Sequence, residues 1–222
     1  MTRPVLLIVG AGPRLGEAVA RRFGRDGYDV ALVARDETRL AEFGGRLKDE
    51  GITAGWTGAD IADAAGLTAA IDRLAQHAGR VDVLLHNVSV WRDARAVELP
   101  AADLLADLAV GAASLLTAAQ AVAPLMRAAG RGTILATGSG AADHPSPGAA
   151  SLGPQKAVLR SLVRSLAAEL APDGVHCATV TVRGAIKDGT PLAPARIADV
   201  YAELVAETAG PPSAWRTVVD LP

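Results

Sequence analysis

Residues 5–16 read VLLIVGAGPRLG, five apolar residues running into a glycine turn, and Glu17 to Phe23 follow with apolar residues at helical spacing. A strand that is apolar at every position is buried on both faces, which predicts a parallel sheet covered by helices on each side. Gly10 permits a tight turn, Gly12 lets backbone come close to a ligand, and Gly16 allows the helix to pack on the strand. The helix start offers unpaired N–H groups to an anion such as a pyrophosphate. A glycine turn between a buried strand and a helix therefore predicts a dinucleotide cradle.

The rest of the chain repeats the alternation. Strands are expected at Asp29–Ala34, Ile52–Thr57, Val81–His86, Gly132–Gly138, Val175–Val182 and Arg216–Leu221. Between them lie helical patterns from Asp36 to about Glu50, Asp63 to Ala78, Ala101 to Leu108 continuing past Gly111 to about Ala129, a long helix within Gly148–Leu170, and Pro194 to Thr208. The order implies a Rossmann-like, doubly wound parallel sheet in a three-layer α/β/α arrangement, with ligands beyond the carboxyl ends of the strands. With 222 residues, half of them hydrophobic, one domain over residues 1–222 is expected.

A net charge of −2 and no run of Lys or Arg argue against a nucleic-acid surface or a membrane patch, leaving a small molecule as the expected partner. The single cysteine, Cys177, lies in an apolar run and has no partner for a bridge, which suits a cytoplasmic protein. The opening apolar run is too short to span a membrane and leads into a glycine turn, so no targeting segment is expected. His77, His86 and His176 show no metal-ligand spacing, and no metal is expected.

Further landmarks recur in order. Asp60 follows the third strand, Asn87 the fourth and Ser139 the fifth; Ser139 lies thirteen positions before Leu152, which lies four before Lys156. Together with the glycine turn they resemble the short-chain dehydrogenase/reductase family over almost the whole chain. The resemblance implies a nicotinamide-dependent oxidoreductase in which Asp60 contacts adenine, Ser139 orients a carbonyl and Lys156 holds the ribose. It also exposes departures. The family's glycine motif runs Gly-x-x-x-Gly-x-Gly; here Gly10 and Gly16 hold the ends and Arg14 the middle, where its side chain either crowds a pyrophosphate or pairs with it. His86-Asn87-Val88-Ser89 stands for Asn-Asn-Ala-Gly, Gly111 for an asparagine that supports a proton relay, Leu152 for the catalytic tyrosine, and Arg183-Gly184 for Pro-Gly.

Hydride transfer to a carbonyl needs an acid to protonate the forming alkoxide, and leucine has no proton to give. The candidates that remain are Ser139, Lys156 and, in the loop bordering the substrate site, His144 beside Asp143. Ser89, Trp91 and Arg92 are candidates to line the pocket. Gly10, Gly12, Arg14, Gly16, Arg35, Asp60, Asn87, Lys156 and Arg183 are the expected cofactor contacts. Arg35, directly after the second strand, favours a ribose phosphate, hence NADP over NAD. The apolar helix Leu108–Met126 and the resemblance imply a homodimer or homotetramer. Three readings stand: a redox enzyme with a degenerate site, a cofactor- or partner-binding relative without activity, or an enzyme of non-redox chemistry in the same pocket.

Overall fold

The computed structural model describes residues 3–222. Seven parallel strands form one sheet: β1 (Val5–Val9), β2 (Asp29–Ala34), β3 (Ala54–Gly58), β4 (Val83–His86), β5 (Gly132–Ser139), β6 (Val175–Val182) and β7 (Val218–Leu221). Their spatial order is β3-β2-β1-β4-β5-β6-β7. The order reverses between β1 and β4, so the crossovers on either side diverge and open a crevice at the carboxyl ends.

The alternation of side chains along β1 sorts the core into two layers. Leu6 and Ile8 point to one face, where they join Phe23 of α1 (Leu15–Arg25), Leu40 of α2 (Glu37–Asp49) and Tyr201 of α7 (Pro194–Ala206). Val5, Leu7 and Val9 point to the other, against Ile71 of α3 (Ala64–Ala78), Val122 of α5 (Ser114–Ala129) and Leu159 of α6 (Leu152–Leu170). This is the three-layer α/β/α architecture that the continuous apolar strands require.

Local chemistry sets the helix ends. The Asp36 and Asp63 carboxylates accept from the Arg39 and Ala65 N–H groups, and Gly79 and Gly130 close α3 and α5 in the left-handed conformation. α4 (Ala101–Leu108) does not break at Gly111 but passes through a π-helical turn, Ala109–Ala113, into α5. The stretch Ala101–Ala129 is long and apolar enough to cross a membrane by length and composition. Here Leu115, Ala118, Ala119, Val122 and Met126 are buried in the layer beneath the sheet.

The structure moves several boundaries. β3 begins at Ala54, because the Ile52 N–H is taken by the Leu47 carbonyl at the end of α2, and the Ile52 side chain packs across Gly24 of α1. β5 runs one residue further, to Ser139, paired with Val182 of β6. Cys177 is a buried core residue of β6.

Candidate functional site

A groove of about 760 Å³ opens at the carboxyl ends of β1, β2 and β4, where Gly10, Gly12, Arg35, Asp60 and Asn87 meet. Of the three cradle glycines, only Gly10 is sterically required: its φ is +82°, and a Cβ there would stand 2.5 Å from the Asn87 carbonyl oxygen. A Cβ at Gly12 or Gly16 would find its nearest neighbours at 4.0 and 3.6 Å, so close helix packing does not explain Gly16. Arg14 keeps a glycine-like backbone, with φ 67° and ψ −102°, and is the one residue other than glycine with positive φ among the described residues. Its side chain is exposed and lies outside the groove wall.

Arg35 is exposed at the groove, and no ion pair or hydrogen bond engages its side chain among the described residues. Asp36 beside it also lines the groove, but its carboxylate is engaged, capping α2 and pairing with Arg39. Asp60 lines the groove while accepting the Ala62 N–H at 3.0 Å. Asn87 ties the turn to the sheet, its Nδ2 donating to the Gly10 carbonyl at 3.3 Å and its Oδ1 accepting the Thr137 hydroxyl at 2.9 Å. That leaves the Tyr201 hydroxyl to donate to Thr137 Oγ1, 2.8 Å away. The phenol is buried without charge, and burial raises its pKa, so Tyr201 serves as a fixed donor beneath the cradle.

A second cavity of about 190 Å³ shares Asn87, Val88 and Ser89 with the groove and adds Ser139, Leu152 and Lys156. Ser139 Oγ accepts the Ala141 N–H at 3.2 Å, which leaves its own proton available. The Lys156 side chain is buried, 4% exposed, yet reaches this cavity. Its Nζ donates to the Val88 and Thr137 carbonyls, both at 2.9 Å, and among the described residues it forms no ion pair with a carboxylate. Burial pushes its pKa down to about 8. An ammonium there has a third N–H to give, and the neutral amine has a lone pair to offer in its place.

His86 is buried at the end of β4, its Nε2 2.7 Å from Ser114 Oγ, which itself donates to the Val110 carbonyl at 2.6 Å. The proton therefore sits on Nε2, and Nδ1 has no partner. Burial first and the Lys156 ammonium second hold the ring neutral, with a pKa of about 3.

Arg14 and Gly16 stand outside the groove lining, and two further expected residues, His144 and Arg183, are not brought to the site either. His144 is exposed and borders neither cavity, because Asp143 is drawn away by Arg160 and Arg183, which hold its carboxyl down to about 2. Arg183 lies between Asp143 and Asp220 in ion pairs of 3.3 and 2.7 Å, outside the cavity lining. Arg92 is likewise committed, to Asp103 and the buried Asp107, whereas Trp91 is 69% exposed on the groove wall, not packed at its edge. Ser89 lines both cavities.

Thr137, Tyr201 and Gln155 cannot be placed at the site from the sequence. Nothing local marks the first two, whereas Gln155 leaves a signal, a polar residue on the buried stripe that continues through Leu159, Val163, Leu166 and Leu170. Among the described residues no three His, Cys, Asp or Glu side chains gather as metal ligands would.

The sequence profile of the short chain dehydrogenases matches residues 4–196. The chain belongs to this family. It is 34% identical to the dehydrogenase subunit BbsC of Thauera aromatica, over 85% of this chain and 75% of that protein. It is 32% identical to D-threitol dehydrogenase of Mycolicibacterium smegmatis, over 80% and 68%. A metagenomic short-chain oxidoreductase solved in complex with NADP superposes on 99% of this chain and 97% of its own, with a TM-score of 0.86 and 28% identity. The groove's cradle glycine admits no side chain, and Arg35 stands exposed on its rim.

Proposed function

We propose that this chain is an NADP-preferring oxidoreductase that moves a hydride between the nicotinamide and a small carbonyl or alcohol substrate, with Leu152 and Gly111 standing where the family has its tyrosine and asparagine. The observation that carries the reading is that the two cavities lie side by side, with Asn87, Val88 and Ser89 in the walls of both, and that Lys156 and Ser139 both line the smaller one. Gly10, Gly12, Asp60 and Asn87 would hold the dinucleotide, with Arg35 at the ribose phosphate. Bound there, the nicotinamide supplies a hydride to a carbonyl or takes one from an alcohol.

The chain's own part is to hold the substrate oxygen and supply a proton. Ser139 donates its free hydroxyl proton to the oxygen, and Lys156, in its charged form, is the cation beside it as negative charge develops. Leu152 lines the same cavity and has no proton to donate. His144 stands too far into solvent to serve, so the proton comes from Lys156 or from water held by Ser139.

Titration of the chain with NADPH and NADH, followed through quenching of tryptophan fluorescence, tests the cofactor half of the reading. NADPH should bind at least tenfold more tightly, and Arg35→Ala should remove the difference, since a charge-assisted contact is worth about 1.5–3 kcal/mol. Equal affinity for both would refute the preference. Consumption of NADPH with a panel of activated ketones and aldehydes tests the redox half. The second reading, a cofactor-binding relative without turnover, draws on the absence of any hydroxyl at Leu152, and tight binding with no turnover would establish it.

A further inference from the structure

Gly111 is buried in the π-helical turn between α4 and α5, and a Cβ built on it would stand 2.1 Å from Gln155 Oε1 and 2.7 Å from Gln155 Cδ. The space that a side chain at 111 would enter is thus already filled, and what fills it is a carboxamide from α6. Every polar atom of that carboxamide is used. Oε1 accepts the Val90 N–H at 3.0 Å, while Nε2 donates to the Val90 carbonyl at 3.1 Å and to the Ser151 carbonyl at 3.2 Å. Gln155 therefore pairs with both backbone groups of one residue, as a neighbouring strand would.

The next residue of α6 is Lys156, which holds the Val88 carbonyl. Two consecutive side chains of one helix clamp the segment Val88–Val90 at both ends; Val88 and Ser89 line both cavities and Val90 the groove. The clamp fixes the loop along which groove and small cavity meet, and it fixes one of the two acceptors that aim Lys156.

We infer that Gln155 is a positioning residue for the site and that Gly111 and Gln155 form one exchangeable unit: the carboxamide that the family carries at position 111 is delivered here from position 155, and glycine at 111 is the condition for it. An asparagine at 111 would begin where the glutamine now ends, within reach of the same Val90 N–H and C=O. Position 111 has thus been vacated without loss of the carboxamide, so one of the apparent departures from the family is compensated.

The test is a double-mutant cycle in the full chain, read both as thermal stability and as NADPH affinity measured well below the unfolding temperature. Gln155→Ala should weaken NADPH binding about tenfold, because two backbone partners of the loop are released. Gly111→Asn alone should lower the melting temperature sharply or fail to fold, since its Cβ meets Gln155. Gly111→Asn with Gln155→Ala should fold and regain NADPH affinity to within about twofold of wild type. Gly111→Ala with Gln155→Ala, which relieves the clash without restoring an amide, should fold but bind as weakly as Gln155→Ala. A Gly111→Asn chain as stable as wild type, or an asparagine double variant no better than the alanine one, would overturn the inference. The affinity arm rests on the proposed cofactor, but the stability cycle does not. If the wild-type chain bound no dinucleotide, a melting temperature of the asparagine double variant above that of the alanine one would still decide the exchange.

Discussion

Replacing Arg14 by glycine should make the protein more stable. The residue has φ 67° and ψ −102° at the N-terminus of α1, far from the left-handed basin near ψ +47° that asparagine and aspartate tolerate. Holding a residue with a Cβ in so sparse a region costs about 1–3 kcal/mol. Glycine takes the conformation freely, but it returns about 0.4–1 kcal/mol through the greater freedom of its unfolded chain. Little else is lost, because the guanidinium is exposed, makes no side-chain cap and has no hydrogen bond or ion pair among the described residues. Removing a cation from a helix N-terminus adds a further few tenths. The net gain is about 1 kcal/mol, which for a chain of this size raises the melting temperature by roughly 2–4 °C. Calorimetry and urea unfolding with an unchanged slope would measure it. A melting temperature that stays level or falls would refute the reasoning, by showing that the turn is not strained or that the arginine makes an interaction worth as much as the strain.

Three further outcomes follow from the same geometry. Leu152→Tyr places a phenol one helical turn before Lys156 in the cavity that holds Ser139; reduction of an activated ketone with NADPH should rise by about 10²–10⁴-fold, the usual contribution of a positioned acid, and a folded, NADPH-binding variant with no gain would argue for the binding-module reading. The Lys156 pKa is lowered from 10.5 to about 8, so between those values the unfolded chain binds more protons and stability rises with pH; relative to Lys156→Met, wild type should gain up to about 3 kcal/mol from pH 8 to 10.5 and nothing from pH 6 to 7, and a flat difference in urea midpoints would exclude the shift. Leu105, Leu125 and Val158 are exposed on α4, α5 and α6, consistent with self-association through these helices, and light scattering at micromolar concentration should give at least a dimer; a monomer mass of 22.6 kDa would count against it.

What the sequence determined by itself is the arrangement of layers and the place of the cleft. The unbroken apolar run Val5–Val9 can be satisfied only by burial on both faces, and the helices alternating with the strands supply that cover. Gly10, Asp60, Asn87, Ser139 and Lys156 were legible for a related reason: each sits at or just beyond a strand's carboxyl end or at a fixed spacing on a helix, so their neighbourhood follows from topology. Tertiary structure decided what lies further apart along the chain. Asp143 and Asp220 take up Arg183, and the same loop turns His144 to solvent, through ion pairs whose members are up to 40 residues apart. Tyr201 reaches Thr137 across 64 residues, and Gln155 reaches Val90 across 65. Periodicity and spacing describe one element at a time, whereas a hydrogen bond between elements depends on how two helices and a sheet settle against each other. Even the glycine at 111, which reads in the sequence as a lost asparagine, gains its meaning only from the side chain of another helix that occupies its space.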